Sequence, residues 1–335
     1  MKKTIFTILK YLLFFGLGIW IIYHMLHQLS DQQRIELTQA IKNANAWYLI
    51  PIFLIGFLSH FFRAIRWRYL LETVDLKPSV TNTTFAVLIG YIANMVLPRA
   101  GEVAKCTVLA KYEKAPVHKM IGTIVAERAF DMVCLLVIAA LAFVLQAQFL
   151  GTYLSAKTAD MQAKFEHSKV LLIILGIGAV VAIPVAIMLY KKYENSKIGQ
   201  FVKEMLGGIF SIIRMKKRWA FLGYTVLIWS MYLLQLWIGF WCLPETAGLS
   251  LTTALVVLVY GSIGMIVTPG GIGLYTLLVA QMLVAYSVPE VPAQAFGWIA
   301  WVAQTAVILV LGLGSLLAIQ PYNRKRYGQA AMDTA

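Results

Sequence analysis

Nine apolar runs punctuate the chain: Phe6–Met25, Trp47–Phe62, Thr84–Leu97, Met120–Leu145, Val170–Tyr190, Ala220–Leu243, Leu251–Thr268, Ile272–Ser287 and Ala295–Ile319. Several approach the roughly 20 residues that cross a bilayer as a helix. The runs are continuous rather than alternating, which speaks against a transmembrane barrel. Two neighbourhoods depart from plain spans. The run Thr84–Leu97 stops at Pro98, followed by Arg99, Gly101, Glu102 and Lys105. Between Leu251–Thr268 and Ile272–Ser287 lie Pro269, Gly270, Gly271 and Gly273. Proline and clustered glycine break helices. Broken backbone at membrane depth survives only inside protein or beside a water-filled cavity. The pattern predicts re-entrant or broken helical hairpins at both places; ordinary short surface loops are the plainer alternative.

With each hairpin entering and leaving on one side, six full spans remain. The predicted fold is an all-α polytopic membrane protein, one transmembrane domain over 1–335. Residues 1–146 read span, span, hairpin, span, and residues 170–319 repeat that order. Three spans per half invert the second half. At an offset of 171, Gly90 aligns with Gly261, Val96 with Val267 and Pro98 with Pro269. An inverted-topology repeat with paired broken segments is a transporter signature and places the site where the hairpins meet.

Composition agrees: 60% of the 335 residues are hydrophobic and 13% charged, and the mean hydropathy is +0.75. This excludes a soluble enzyme, a disordered chain and a disulfide scaffold. The net charge is +14. In a membrane protein such an excess reports topology, not nucleic acid. The expected cytoplasmic segments (the N-terminus, 63–77, 99–119, 191–218 and the C-terminus) hold 23 Lys and Arg with 7 acidic residues. The expected outer loops hold 5 and 6. Both termini are therefore expected in the cytoplasm, in a bacterial-type inner membrane. Lys2 and Lys3 precede an apolar run without a small-residue cleavage site, which reads as an uncleaved first helix. The basic segment 191–218 is expected either on the inner leaflet or as a solvated loop. Cys106, Cys134 and Cys242 suggest no disulfide, and the five His show no metal spacing. Neither metal nor cofactor is expected.

Four groups could carry chemistry. In IGTIVAERAFDMVCLL, Glu127, Arg128 and Asp131 stand in an apolar helix, where each ionisable group costs about 2.5–3.5 kcal/mol on insertion scales. Arg128 can pair with Asp131 at i,i+3, leaving Glu127 for a cation such as Arg99 or Lys105. The cluster is either an intramembrane polar site or a structural one near a helix end. Around Asn94 and Pro98, Gly101 lets backbone approach a ligand. A helix start there would aim N–H groups at an anion, and Arg99 suits a phosphate; snorkelling is the alternative for Arg99. Pro269, Gly270, Gly271 and Gly273 form an uncharged flexible turn. Arg63, Arg66, Trp67 and Arg68 end the second helix, as an interfacial anchor or as recruiters of anionic lipid.

The motifs RAIRWRYLL (63–71), NMVLPRAGEVAK (94–105), VAERAFD (125–131) and TPGGIG (268–273) resemble the flippase-like membrane region of lysylphosphatidylglycerol synthases. The resemblance covers roughly 45–319. It implies movement of an anionic phospholipid or a polyprenyl-phosphate-type lipid between leaflets. Arg63, Arg66, Arg99, Glu102, Glu127, Arg128 and Asp131 fall on motif positions. Family members often carry an acidic residue three positions after PGGIG, where Thr276 stands here. The aminoacyl-transferase domain of full-length synthases is not in the sequence, so lysyl transfer is not expected. The expected partners are membrane lipids, not nucleic acid, with Arg99, Lys105, Arg63 and Arg66 on the lipid phosphate. Two rivals stand beside translocation: a scaffold presenting lipid to a separate transferase, and an intramembrane lipid-phosphate enzyme using Glu102, Glu127 and Asp131.

Overall fold

The computed structural model describes residues 16–97, 100–147, 149, 151–152, 212 and 215–327. The expected span Val170–Tyr190, the segment 191–211, Pro98 and Arg99 lie outside the described residues. Those described are helical, without strands: α1 (16–28), α2 (Asp31–Lys42), α3 (Leu49–Glu72), α4 (Val80–Val96), α5 (Ala100–Glu113), α6 (Val117–Leu145), α7 (Arg218–Gly239), α8 (Leu251–Val267), α9 (Leu274–Ala285) and α10 (Glu290–Tyr327). Four helical stretches among them are long and apolar enough to cross a membrane: Ala46–Glu72, Val117–Leu145, Arg218–Cys242 and Glu290–Tyr327. The chain forms two compact units, Met1–Ile121 with Lys217–Ala335, and Gly122–Lys216.

Local chemistry sets the boundaries. Both predicted breaks occur, for one shared reason. Leu97 and Thr268 are extended (φ −135°, ψ 115° and φ −110°, ψ 145°). Each precedes a proline, whose ring pushes the preceding residue out of the helical region. After Thr268 the chain turns through Gly270, Gly271 and Gly273, at φ 61°, 72° and 73°. Only glycine takes up such angles without strain. Trp301 of α10 fastens this turn by donating Nε1–H to the Gly270 carbonyl at 2.8 Å.

The helices entering the two breaks match in detail. Each has 17 residues and a serine N-cap: Ser79 accepts from Asn82 N, and Ser250 from Thr253 N. Such a cap satisfies one of the four orphan N–H groups of a helix start. Displacing α4 by 171 positions lands on α8, and displacing α3 lands on α7 with its 3₁₀ extension Phe240–Cys242. α3 and α7 pack side by side and run antiparallel. Asn45 N bonds Cys242 O at one end, and Lys217 Nζ lies 2.8 Å from Glu72 Oε2 at the other. Between them Gln235 Nε2 donates to Ile52 O at 3.1 Å.

In the first unit, α4 packs on α5 and α8 on α9. The Pro269–Gly271 turn touches α4, so the two hairpins meet there. The first hairpin closes on two glycines: a Cβ on Gly90 would lie 2.8 Å from Gly101 O. The second closes where Gly264 faces Tyr275, with 2.7 Å between an added Cβ and Tyr275 Cα.

A buried polar knot joins α4, α5 and α10. Asn82 and Asn323 exchange amide hydrogen bonds, both at 2.8 Å. Asn82 Nδ2 also donates to Glu113 Oε1 at 2.7 Å, which accepts from the Ser79 hydroxyl at 2.6 Å. Asn323→Ala removes one partner from a buried amide, which costs about 1–3 kcal/mol. In a double-mutant cycle with Asn82→Ala the two losses are expected to be non-additive by about 1 kcal/mol, read from thermal unfolding of detergent-purified protein. Additive losses would show that the pair is not coupled.

Candidate functional site

The buried face of α3 recurs at helical spacing through Ile52, Gly56, Ser59, His60, Arg63, Trp67 and Leu70. An apolar stripe of this kind faces a protein core. Here it carries two cations. The apolar run ends at Phe62, but the helix continues to Glu72. Arg63 and Arg66 therefore lie within it, 6% and 0% exposed. This removes the reading of these two arginines as snorkelling interfacial anchors, whose guanidinium groups would be wet.

Aromatic rings from neighbouring helices receive the cations. Arg63 lies between α4 and α7. Its guanidinium carbon is 6.0 Å from the Tyr91 ring centre and 5.9 Å from that of Tyr232. Arg63 Nη2 donates to the Tyr232 hydroxyl at 3.0 Å. Arg66 stands 5.4 Å from the Phe221 ring and donates to Thr225 Oγ1 at 3.4 Å. Lys105, on the buried side of α5, places Nζ 4.3 Å from the ring centre of Trp67. The face of an aromatic ring attracts a cation within about 6 Å, more strongly where water is excluded. Three basic side chains, two from α3 and one from α5, thus gather at residues 63–67 of α3. One turn away the His60 ring lies tilted against Tyr91, with ring centres 4.5 Å apart.

At the start of α5, the Gly101 N–H donates to Asn94 Oδ1 at 2.7 Å. Asn94 and Gly101 thus tie the two arms of the first hairpin together, and the close approach at Gly101 is to Gly90 of α4. One carboxylate oxygen of Glu102, in the first turn of α5, is buried without a hydrogen-bond partner among the described residues. Thr276, three positions after the PGGIG turn, is fully buried against Gly297.

On α6, Arg128 lies 3.6 Å from Asp131 and 3.5 Å from the fully buried Glu127. The pair with Asp131 follows the i,i+3 spacing. Arg128 reaches both carboxylates, however, so Glu127 is not left over as the spacing alone implied.

The partners of the buried cations were not visible in the sequence. Tyr232 is 169 positions from Arg63 and Thr225 is 159 from Arg66. Only the fold brings them together.

Residues 7–312 match the family described as lysylphosphatidylglycerol synthase TM region. UPF0104 membrane protein MJ1595 of Methanocaldococcus jannaschii is 22% identical over 310 residues, covering 88% of this chain and 91% of that protein. UPF0104 membrane protein PH1989 of Pyrococcus horikoshii is 24% identical over 318 residues, covering 84% and 88%. No solved structure matches the chain. With its helical apolar spans and a match over most of its length, the chain is an integral membrane protein of the lysylphosphatidylglycerol synthase TM-region family.

Proposed function

We propose that this protein moves an anionic phospholipid, or another lipid phosphate, between the leaflets of its membrane, and that it is not a transferase. The convergence of Arg63, Arg66 and Lys105 on one stretch of α3 carries the reading. Ionisable groups inside an apolar helical protein are costly and mark substrate paths. A basic cluster between helices suits a phosphate headgroup. The mobile charge is a lipid phosphate drawn toward this cluster. Glu102, on the same helix as Lys105, balances the cations as the headgroup passes.

The broken hairpins give the path its backbone. Their meeting at α4 supports an inverted repeat, as does the antiparallel pairing of α3 with the helix 171 positions on. The reading keeps six spans and two re-entrant hairpins, with both termini facing the cytoplasm, as the 23-to-5 division of basic residues favours.

Leaflet exchange in proteoliposomes tests the reading, with fluorescent phosphatidylglycerol and phosphatidylcholine followed by quencher accessibility. Protein-dependent exchange of the anionic lipid is expected. Folded Arg63→Ala and Lys105→Ala should each slow it about tenfold or more, the loss of a charge-assisted contact worth about 1.5–3 kcal/mol. No exchange of any lipid, with or without an ion gradient, would overturn translocation in favour of lipid presentation.

A further inference from the structure

An apolar groove of about 430 Å³ runs between the end of α2, the start of α3 and α10. Pockets for small ligands span roughly 300–1,000 Å³. Its α10 wall extends from Trp298 to Val307. Nine steps at ~1.5 Å each make this wall about 14 Å long. One leaflet of a bilayer core of ~30 Å is about that deep. Ala303 and Ala306, one turn apart on this wall, leave the room.

The polarity of the groove is one-sided. Its walls are apolar, and Lys42 is the one charged residue lining it. Lys42 closes α2 and makes no ion pair among the described residues. Asn45 stands beside it at the same end. The Asn45 side-chain oxygen accepts from Trp47 N, which leaves its amide N–H₂ to donate. Trp47, next to this rim, is 78% exposed. Exposed tryptophan beside a cation marks the headgroup level of a membrane protein.

We infer that this groove holds one acyl chain of an anionic phospholipid, its phosphate on Lys42 and Asn45 and its chain along Ala303 and Ala306. A cation at one end of an apolar slot one leaflet deep is complementary to a phosphate joined to a hydrocarbon chain. A lysine near the surface of an anionic membrane gains about 1 kcal/mol. The site stands whether or not the protein moves lipid.

Photolabelling tests it on the full chain in mixed vesicles of phosphatidylglycerol and phosphatidylcholine. One lipid in each preparation carries a diazirine near the end of an acyl chain, and adducts are mapped by mass spectrometry. Labelled phosphatidylglycerol is expected to mark segments 49–53 and 298–307. Ala303→Trp, which fills the slot, should reduce those adducts about tenfold and leave adducts on the outer faces of other helices. Ala306→Leu serves where the tryptophan variant fails to fold. Lys42→Glu should lower labelling by phosphatidylglycerol and leave labelling by phosphatidylcholine unchanged. Adducts that persist in folded Ala303→Trp and Ala306→Leu overturn the site. So does wild-type labelling by phosphatidylcholine equal to that by phosphatidylglycerol, or a cross-link from Ala303→Cys to a second copy showing that another chain fills the slot. Groove labelling without leaflet exchange would leave this site standing and remove only the translocation reading.

Discussion

Gly101→Val is expected to destabilise the folded protein by about 3 kcal/mol or more, read as a clear fall in melting temperature. A β-carbon on Gly101 would collide with the Gly90 carbonyl oxygen and would lie 2.5 Å from the Asn94 side-chain amide carbon. The asparagine could rotate away, but the carbonyl belongs to the backbone of α4 and cannot. Relief requires α5 to back off α4. That lengthens the bond from Gly101 N–H to Asn94 and opens the packing around Lys105 and Cys106, both buried on the same face of α5. Overpacking of a core costs about 1–3 kcal/mol, occasionally more, and a backbone obstacle belongs at the upper end. Against a total stability of about 5–15 kcal/mol, such a loss is large. Gly223→Ala is the control, since a β-carbon there meets nothing within 4 Å. It should leave stability unchanged or raise it by about 0.5–1 kcal/mol, the usual gain for alanine in a helix. Equal melting temperatures for Gly101→Val and Gly223→Ala would sink the account of the hairpin given above.

The difference between these two glycines is only partly legible in the sequence. The sequence marks Gly101, beside a proline and charged residues, as a place of close backbone approach, but only the fold shows that what it meets is the Gly90 carbonyl. Other features were legible to different depths. The breaks at Leu97 and Thr268 follow from the proline after each, a local effect that any reader of the chain can apply. The start of α4 was missed. Hydropathy opens that run at Thr84, yet the helix begins at Val80. Its first turn is polar because Asn82 is spent on Glu113 and Asn323 rather than on water. The same failure, reversed, occurs in α3. Arg63 and Arg66 read as the wet end of a span, because hydropathy has no term for aromatic rings supplied by Tyr91, Phe221 and Tyr232. Hydropathy shows only a polar stretch where α2 stands, though Ser30 and Gln33 form a capping box readable in the sequence. The i,i+3 pair of Arg128 and Asp131 was foreseeable. The second contact of Arg128, to its neighbour Glu127, depends on a side-chain rotamer and was not.

Single cysteines at Lys77 and Gly248 are expected to react from opposite faces of the membrane. These positions are 171 apart, both are exposed, and each lies in the loop just before a serine-capped helix, α4 or α8. The preceding helices are antiparallel neighbours in the structure. Asn45, before α3, bonds Cys242, after α7, while Glu72, at the end of α3, pairs with Lys217, just before α7. Chain leaving α3 and chain leaving α7 therefore emerge at opposite ends of this helix pair. If both helices cross the bilayer, the two loops face different compartments. The distribution of basic residues adds the sign: Lys77 belongs to the positive set and should face the cytoplasm, whereas 244–250 carries Glu245 and no basic residue. The measurement uses a background in which Cys106, Cys134 and Cys242 are replaced by alanine or serine, with an impermeant maleimide applied to intact cells and to inverted vesicles. Cysteine at 248 should label in cells only and cysteine at 77 in inverted vesicles only, an all-or-none contrast. Labelling of both from one face would mean that α3 and α7 do not both span, and the inverted repeat would fall with it. The contrast tests topology independently of lipid chemistry, because it is read without substrate and from residues outside the basic cluster.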